Sequence, residues 1–144
     1  MEIVYDGTAG ASALAGAGYE AKYAFQNTEK FWGGRYYEDG PSFVWFRFRM
    51  AQRLAKIGFQ GGHNAYAPKS FEVVGSNSCS NWTTLLSTSN SGIPNDLSST
   101  FFSWNIEKRH RLSFSCIGIK SITENSERPT NYPEIKNIIM WEEI

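Results

Sequence analysis

The sequence predicts an all-β protein, either a sandwich or a barrel. Aromatic residues make up 15% of the chain and charged residues only 19%, a balance that suits half-buried strands joined by polar turns. Several short stretches alternate apolar and polar side chains with the period of two that is typical of strands. No segment of helical length shows the corresponding period of 3.6 residues, so we expect strands throughout.

The clearest strand lies at residues 42–50 (SFVWFRFRM). Val44, Phe46 and Phe48 share one face of this strand, and Trp45 lies on the other face with two arginines. We therefore expect the Val44 face to point into the core. Shorter runs with the same alternation predict further strands at residues 54–59, 71–74, 101–105, 111–119 and 135–141.

Turn and loop chemistry separates these strands. Gly-Ser-Asn at residues 75–77 predicts a turn, because glycine accepts positive φ and asparagine bonds to its own backbone. Residues 87–100 are polar and predict a long surface loop. Residues 7–18 (GTAGASALAGAG) consist almost entirely of small side chains. They leave two interpretations open, a loosely packed N-terminal arm within residues 1–20 or a segment packed where only small side chains fit.

Length and charge limit the classes of function. A chain of 144 residues is expected to form a single domain, here residues 1–144. Fourteen basic and fourteen acidic residues give a net charge of zero, which argues against binding to nucleic acid through its phosphates. No signal peptide pattern and no membrane-spanning apolar run is visible in the sequence. Cys79 and Cys116 fit no metal-binding spacing, and both a disulfide and two buried free thiols remain open.

Residues 68–86 (PKSFEVVGSNSCSNWTTLL) follow the order P-x-x-F-x-V-x-G-S-N, then W-T-x-L. This order resembles a signature of the discoidin (coagulation factor 5/8 type C) domains and related carbohydrate-binding domains of the galactose-binding-like superfamily. Four other segments are similar to that family in the expected order: residues 24–32, 41–48, 54–59 and 133–141. The resemblance implies a jelly-roll-like antiparallel β-sandwich of about eight strands.

The resemblance also implies a non-catalytic binding module for a carbohydrate, of galactoside type or a related glycan. Relatives build the pocket from loops at one end of the sandwich, where arginine donates paired hydrogen bonds and aromatic rings stack on sugars. The corresponding ligand-binding residues here are Arg35, Tyr36, Tyr37, His63, Asn64 and Tyr66. The expected partner is a glycan or glycoprotein, and the alternative is a protein-protein interaction or adhesion domain of a larger protein. Binding to nucleic acid or membrane lipid is not expected, and the resemblance favours an extracellular or cell-surface location.

The chain departs from the family pattern at the calcium position. Many relatives hold a structural Ca²⁺ with two carboxylates, whereas Gln26 and Asn137 occupy the matching positions here. Because carboxylates supply most of the affinity for Ca²⁺, we expect no structural calcium and no other cofactor or metal. His63 also lacks the downstream R-x-D motif of the fucose-binding branch. No catalytic motif is present, so we expect no enzymatic activity and assign no catalytic residues.

The remaining aromatic and basic features have ordinary structural interpretations. We expect the tryptophans in or beside the strands to be packing residues rather than ligand contacts. These are Trp32, Trp45, Trp82 and Trp141. The basic run at residues 108–111 (KRHR) is interpreted as a solvated strand edge.

Overall fold

The computed structural model describes residues 1–12, 20–33, 42–61, 68–93, 100–124 and 134–143. Within these residues the chain forms eight strands and two short 3₁₀ helices, and every strand pair is antiparallel. The strands are β1 (Gly7–Ala11), β2 (Trp32–Gly33), β3 (Phe43–Gly61), β4 (Pro68–Ser76), β5 (Thr83–Thr88), β6 (Phe102–Asn105), β7 (Ser113–Glu124) and β8 (Glu134–Glu142). The 3₁₀ helices are η1 (Ala21–Phe25) and η2 (Lys108–His110). No helix in this part of the chain is long and apolar enough to cross a membrane.

The long strand β3 belongs to both layers of the sandwich. Its first part, residues 43–53, pairs with β1 and β7, and β4 and β5 extend that layer beyond β7. Its second part, residues 54–61, pairs with β6 and β8, and β2 adds to the outer side of β8. The pairing register with β7 is irregular between Arg47 and Gln52, and such irregularities bend a strand. The bend lets one strand leave the first layer and enter the second.

The predicted all-β sandwich is confirmed, although several elements differ in extent from the prediction. The two strands expected at residues 42–50 and 54–59 are one continuous β3. Gly75 and Ser76, expected in a turn, still pair with β7, so the turn begins after them. η1 is a short 3₁₀ helix in a chain for which we expected strands throughout. In each case the element is set by pairing or packing with a distant strand and not by the local sequence pattern.

The core lies between the inner faces of the two layers. Val44, Phe46 and Phe48 are buried there, which confirms the alternation expected for residues 42–50. Trp32 is fully buried, which confirms its expected packing role. The other fully buried large side chains are Leu54, Ile57, Phe59, Phe71, Ile106, Ile117, Ile119, Ile135, Ile138 and Met140.

The two ends of the chain are joined by backbone hydrogen bonds. The Ile3 amide donates to the Met140 carbonyl at 2.7 Å, and the Glu142 amide donates to the Met1 carbonyl at 2.9 Å. Ile3 is buried in the core, and β1 is paired along its length with β3. Residues 1–12 are therefore held to the sheet by backbone hydrogen bonds, whereas residues 13–19 of the small-residue segment lie outside the described residues and their two interpretations stay predictions.

Cys79 and Cys116 form a disulfide, which decides between the two interpretations left open by the sequence. Their Cα atoms lie 5.6 Å apart, within the usual range for such a bond. Cys79 follows β4 and has a left-handed backbone with φ of 57°, whereas Cys116 is a fully buried residue of β7. The bond fixes the turn between β4 and β5 to the neighbouring strand.

Candidate functional site

The six predicted ligand-binding residues lie outside the described residues. Arg35, Tyr36 and Tyr37 belong to the segment 34–41, and His63, Asn64 and Tyr66 belong to the segment 62–67. Their contacts with one another are therefore not part of the site described below. The structure describes Gly33 and Gly61, the strand residues that precede these two segments.

The two segments leave from either side of β8. At the start of β8, Ile135 pairs with Trp32 of β2 on one side and with Gly61 of β3 on the other. Gly33, the last residue of β2, pairs with Glu134. Since adjacent strands lie about 5 Å apart, Gly33 and Gly61 are separated by about 10 Å. Both segments thus begin at one end of the sandwich, which we call the loop end.

Two buried polar atoms lie close in sequence to the segment 34–41. The indole Nε1 of Trp32 and the hydroxyl oxygen of Ser42 have no hydrogen-bond partner among the described residues. Both residues have no exposed surface. Buried polar groups are normally hydrogen-bonded, so an unpaired donor in such a position needs an explanation. Trp32 and Ser42 flank the segment that carries half of the predicted site.

An amide cluster occupies the position that the resemblance assigns to calcium. The backbone N–H of Asn137 donates to the backbone carbonyl of Gln26 at 3.1 Å. The side-chain Nδ2 of Asn137 donates to Oε1 of Gln60, also at 3.1 Å. Asn137 has φ of 52°, in the left-handed region that asparagine tolerates better than most residues. The described residues contain no group of three or more His, Cys, Asp or Glu side chains that could hold a metal ion. The expected absence of a structural Ca²⁺ stays a prediction.

A cleft of about 610 Å³ lies between β1, η1 and the start of β3. Tyr5, Phe25 and Phe46 form its floor, and their rings are in mutual contact at centroid distances of 5.0 to 5.2 Å. Glu20 and Lys22 lie at its rim and pair with each other at 3.4 Å, and at least half of each side chain is exposed to solvent. The rim charges therefore neutralise each other, and a surface pair of this kind contributes little stability.

The Tyr5 hydroxyl is buried beside this cleft. It donates a hydrogen bond to the backbone carbonyl of Ile138 in β8. Burial, with a smaller contribution from the negative charge of Glu2, raises the pKa of Tyr5 far above its ordinary value. Tyr5 therefore remains protonated and serves as a structural donor.

Trp45 and Trp82 do pack, but on the solvent side of the sheet rather than in the core. Trp45 lies on the opposite face of β3 from Val44, and Trp82 follows the turn after β4. Both are partly exposed and contact each other and Phe43. Their rings do pack against each other, as expected, but they lie outside the hydrophobic core. We call Phe43, Trp45 and Trp82 the outer aromatic face.

The sequence contained a signal for this face. Strict alternation at residues 42–50 already assigns Phe43 and Trp45 to the side opposite the core. The contribution of Trp82 could not be inferred, because it depends on the pairing of β4 with β7.

The basic run at residues 108–111 forms η2 and its exit rather than a strand edge. Arg109 bonds to Glu107 at 2.8 Å, and Arg111 donates from Nε to the Ile106 carbonyl at 2.8 Å. Arg111 also lies 3.5 Å from Glu143. Since these two arginines are occupied within the chain, the run does not offer a free basic patch.

The fold of this chain is similar to that of solved family 32 carbohydrate-binding modules, a galactose-binding-like, discoidin-like fold. No family model matches this sequence, and no curated protein matches it. Solved structures do match it over almost the whole chain, at identities that show the fold alone.

Three of these structures illustrate the likeness. The family 32 module of AlyQ, in complex with 4,5-unsaturated mannuronic acid, is 14% identical with a TM-score of 0.75, and 98% of each chain is covered. Chitosan-binding module 1 of a chitosanase/glucanase from Paenibacillus sp. IK-5 is 20% identical with a TM-score of 0.71, covering 94% of this chain and 95% of that one. The family 32 module of Clostridium perfringens NanJ, in complex with galactose, is 13% identical with a TM-score of 0.71, covering 94% and 93%.

Proposed function

We propose that this protein is a non-catalytic carbohydrate-binding module. The observation that carries the proposal is the likeness of the whole fold to modules solved in complex with sugars, over 94% to 98% of this chain. A sandwich of this kind supplies a rigid frame and leaves recognition to its loops. No catalytic step is needed to account for the features described above.

The proposed ligand site lies at the loop end, in the segments 34–41 and 62–67. The support for it is that both segments leave from strands flanking the start of β8, at Gly33 and Gly61. In this proposal Arg35 and His63 bond to sugar hydroxyls, and Tyr36, Tyr37 and Tyr66 offer rings for stacking. Asn64 completes the set of hydrogen-bonding groups.

The ligand class is a galactoside or a related glycan. The similar modules bind different sugars, including galactose, an unsaturated mannuronic acid and chitotriose. Loop residues rather than scaffold residues therefore decide which sugar is bound. A glycoprotein carrying such a glycan would be the natural partner.

The disulfide is compatible with a protein that works outside the cytoplasm. Disulfides persist in oxidising compartments such as the cell exterior. The pairing of Cys79 with Cys116 thus supports an extracellular or cell-surface location as part of the proposal.

Calorimetric titration with galactosides, chitooligosaccharides and oligouronates, preceded by a glycan array, tests the function. We expect saturable binding to at least one of these sugars. Replacing Arg35 or His63 by alanine should weaken binding to that sugar by roughly tenfold or more. Arg109→Ala is the matched control, because Arg109 is exposed on η2 and pairs with Glu107.

The possible outcomes separate function from site. Binding that is unaffected by Arg35→Ala and His63→Ala would contradict the site and keep the function. A blank response to every sugar, with the protein folded, would contradict the function and favour the protein-interaction alternative.

A further inference from the structure

We infer that the outer aromatic face is a second glycan contact, separate from the loop end, and that it binds a uronate-containing polysaccharide chain. The inference depends on three observations: the arrangement of the rings, the space kept free for Trp45, and the charges beside the rings. It does not require the loop-end site to exist.

The three rings form a floor and a wall. Phe43 and Trp45 are 4.9 Å apart between centroids and are inclined by only 30°, so they make a nearly continuous floor. Trp82 stands against them at 80° to Phe43 and 58° to Trp45, with centroids 4.7 and 6.1 Å away. Each ring remains partly exposed. A corner of this shape suits the flat apolar face of a pyranose ring.

Buried side chains share the outer face of the sheet with the three rings. Val74 and Cys116 lie on the same face of the sheet, and both are buried although neither belongs to the hydrophobic core. The disulfide from Cys116 to Cys79 fixes the turn that precedes Trp82. The outer aromatic face is therefore a preorganised surface, which reduces the entropy lost on binding.

The indole of Trp45 occupies space that a side chain at Gly10 would otherwise fill. Gly10 pairs with Trp45 across β1 and β3, and a Cβ atom added at Gly10 would lie 2.6 Å from the indole ring. The indole thus lies flat across the backbone of β1. Any other residue at this position would push the ring away from the floor.

Positive charges lie beside the rings. Lys120 of β7 pairs with Phe43, and Arg47 follows Trp45 on the same face of β3. Neither cation forms an ion pair among the described residues, whereas nearby Arg49 is paired with Asp6 at 3.6 Å. Glu72 of β4 is the direct cross-strand partner of Lys120 on this face, so Arg47 is the cation with no acidic neighbour among the cross-strand pairs of this face.

This charge arrangement selects the ligand class. Guanidinium and ammonium groups at the edge of an aromatic floor complement carboxylates on a sugar that stacks on it. A neutral glycan would leave both cations unused. An acidic polysaccharide chain satisfies the rings and the cations together.

Calorimetric titration with oligomannuronate, oligoguluronate and oligogalacturonate, each against a neutral oligogalactoside of equal length, tests the inference. We expect at least one oligouronate to bind in a salt-sensitive manner. Trp45→Ala, Trp82→Ala and Arg47→Gln should each weaken that binding by roughly tenfold. Arg49→Gln is the matched control, because Arg49 is already paired.

Gly10→Ala provides a test in which no contact group is removed. The added methyl group should displace the Trp45 indole and weaken oligouronate binding while the disulfide and the thermal transition remain. An affinity equal to that of the parent protein in both Gly10→Ala and Arg47→Gln, or no oligouronate binding at all, would overturn the inference. Oligouronate binding that is lost in Arg35→Ala and His63→Ala but kept in the face variants would assign it to the loop end and likewise overturn it.

Discussion

Tyr5 donates its hydroxyl hydrogen to the backbone carbonyl of Ile138, a residue 133 positions away. This bond joins the N-terminal segment before β1 to the last strand, β8. Its donor is largely buried against Phe25, Phe46 and Phe48. The bond is therefore one of the contacts that join the N-terminal segment to β8 near the C-terminus.

The raised pKa of Tyr5 predicts a loss of stability at alkaline pH. In the unfolded chain Tyr5 ionises near its ordinary pKa of about 10, whereas in the folded protein it stays protonated well above that value. Above about pH 10 the unfolded state therefore releases a proton that the folded state keeps. The free energy of unfolding should fall there by up to about 1.4 kcal/mol per pH unit from this group.

Tyr5→Phe isolates the effect. At neutral pH the variant should lose about 1 kcal/mol, because the Ile138 carbonyl loses its donor. Between about pH 10 and 11 its stability should decline less steeply than that of the parent protein. Denaturant unfolding at several pH values measures both differences. Parallel pH profiles for the two proteins would contradict the assignment.

The disulfide predicts a strong dependence on redox conditions. Cys79 and Cys116 are separated by 37 residues, and a loop of this size restricts the unfolded chain by about 3–4 kcal/mol. Reduction of the parent protein should lower its unfolding free energy by about that amount. The double variant Cys79→Ser/Cys116→Ser should show the same lower stability and no response to reductant. A double variant as stable as the oxidised parent would contradict this expectation.

Asn137 combines two roles that substitutions can separate. Its left-handed backbone favours asparagine or glycine, and its side chain bonds to Gln60. Asn137→Ala should lose both and cost about 2 kcal/mol. Asn137→Gly should keep the backbone conformation and cost about half as much. Chemical denaturation of the two variants measures the difference, and equal losses would show that backbone conformation contributes little.

The amide cluster predicts that calcium has no effect on stability. Asn137 donates to the backbone carbonyl of Gln26 and to the side-chain oxygen of Gln60, and all of these groups are neutral. We propose that these contacts replace a structural Ca²⁺, so addition of Ca²⁺ or of a chelator should leave the melting temperature unchanged. The Asn137→Ala variant should be equally insensitive. A rise of several degrees on adding Ca²⁺ would contradict the proposal.

Much of the fold could be predicted because its information is local. The period-two alternation of residues 42–50 assigns Val44 to the core and Trp45 to the outside, and the structure agrees. The crossing of β3 between layers could not be predicted, because it depends on pairing with β7 and β8, which are distant in the sequence. Residues 75 and 76 lie in β4 and not in the predicted turn for the same reason, because they pair with β7.

The candidate site divides in the same way. The residue types at Arg35 and His63 indicated sugar binding through the resemblance, and they stay a prediction because they lie outside the described residues. The convergence of their segments on β8 became visible only from the register at Ile135. The outer aromatic face could not be predicted either, since Trp82 approaches Trp45 only through the pairing of strands that are distant in the sequence and a disulfide that the sequence leaves open.

The passage of β3 through both layers has a consequence for how the protein opens. Its backbone amides bond to β1 and β7 in one layer and to β6 and β8 in the other, so neither layer can detach without breaking bonds in the same strand. Slow hydrogen exchange should therefore report a single opening event shared by residues 44–48 and 54–59, rather than two independent ones. A ligand bound at either layer would then protect amides in both.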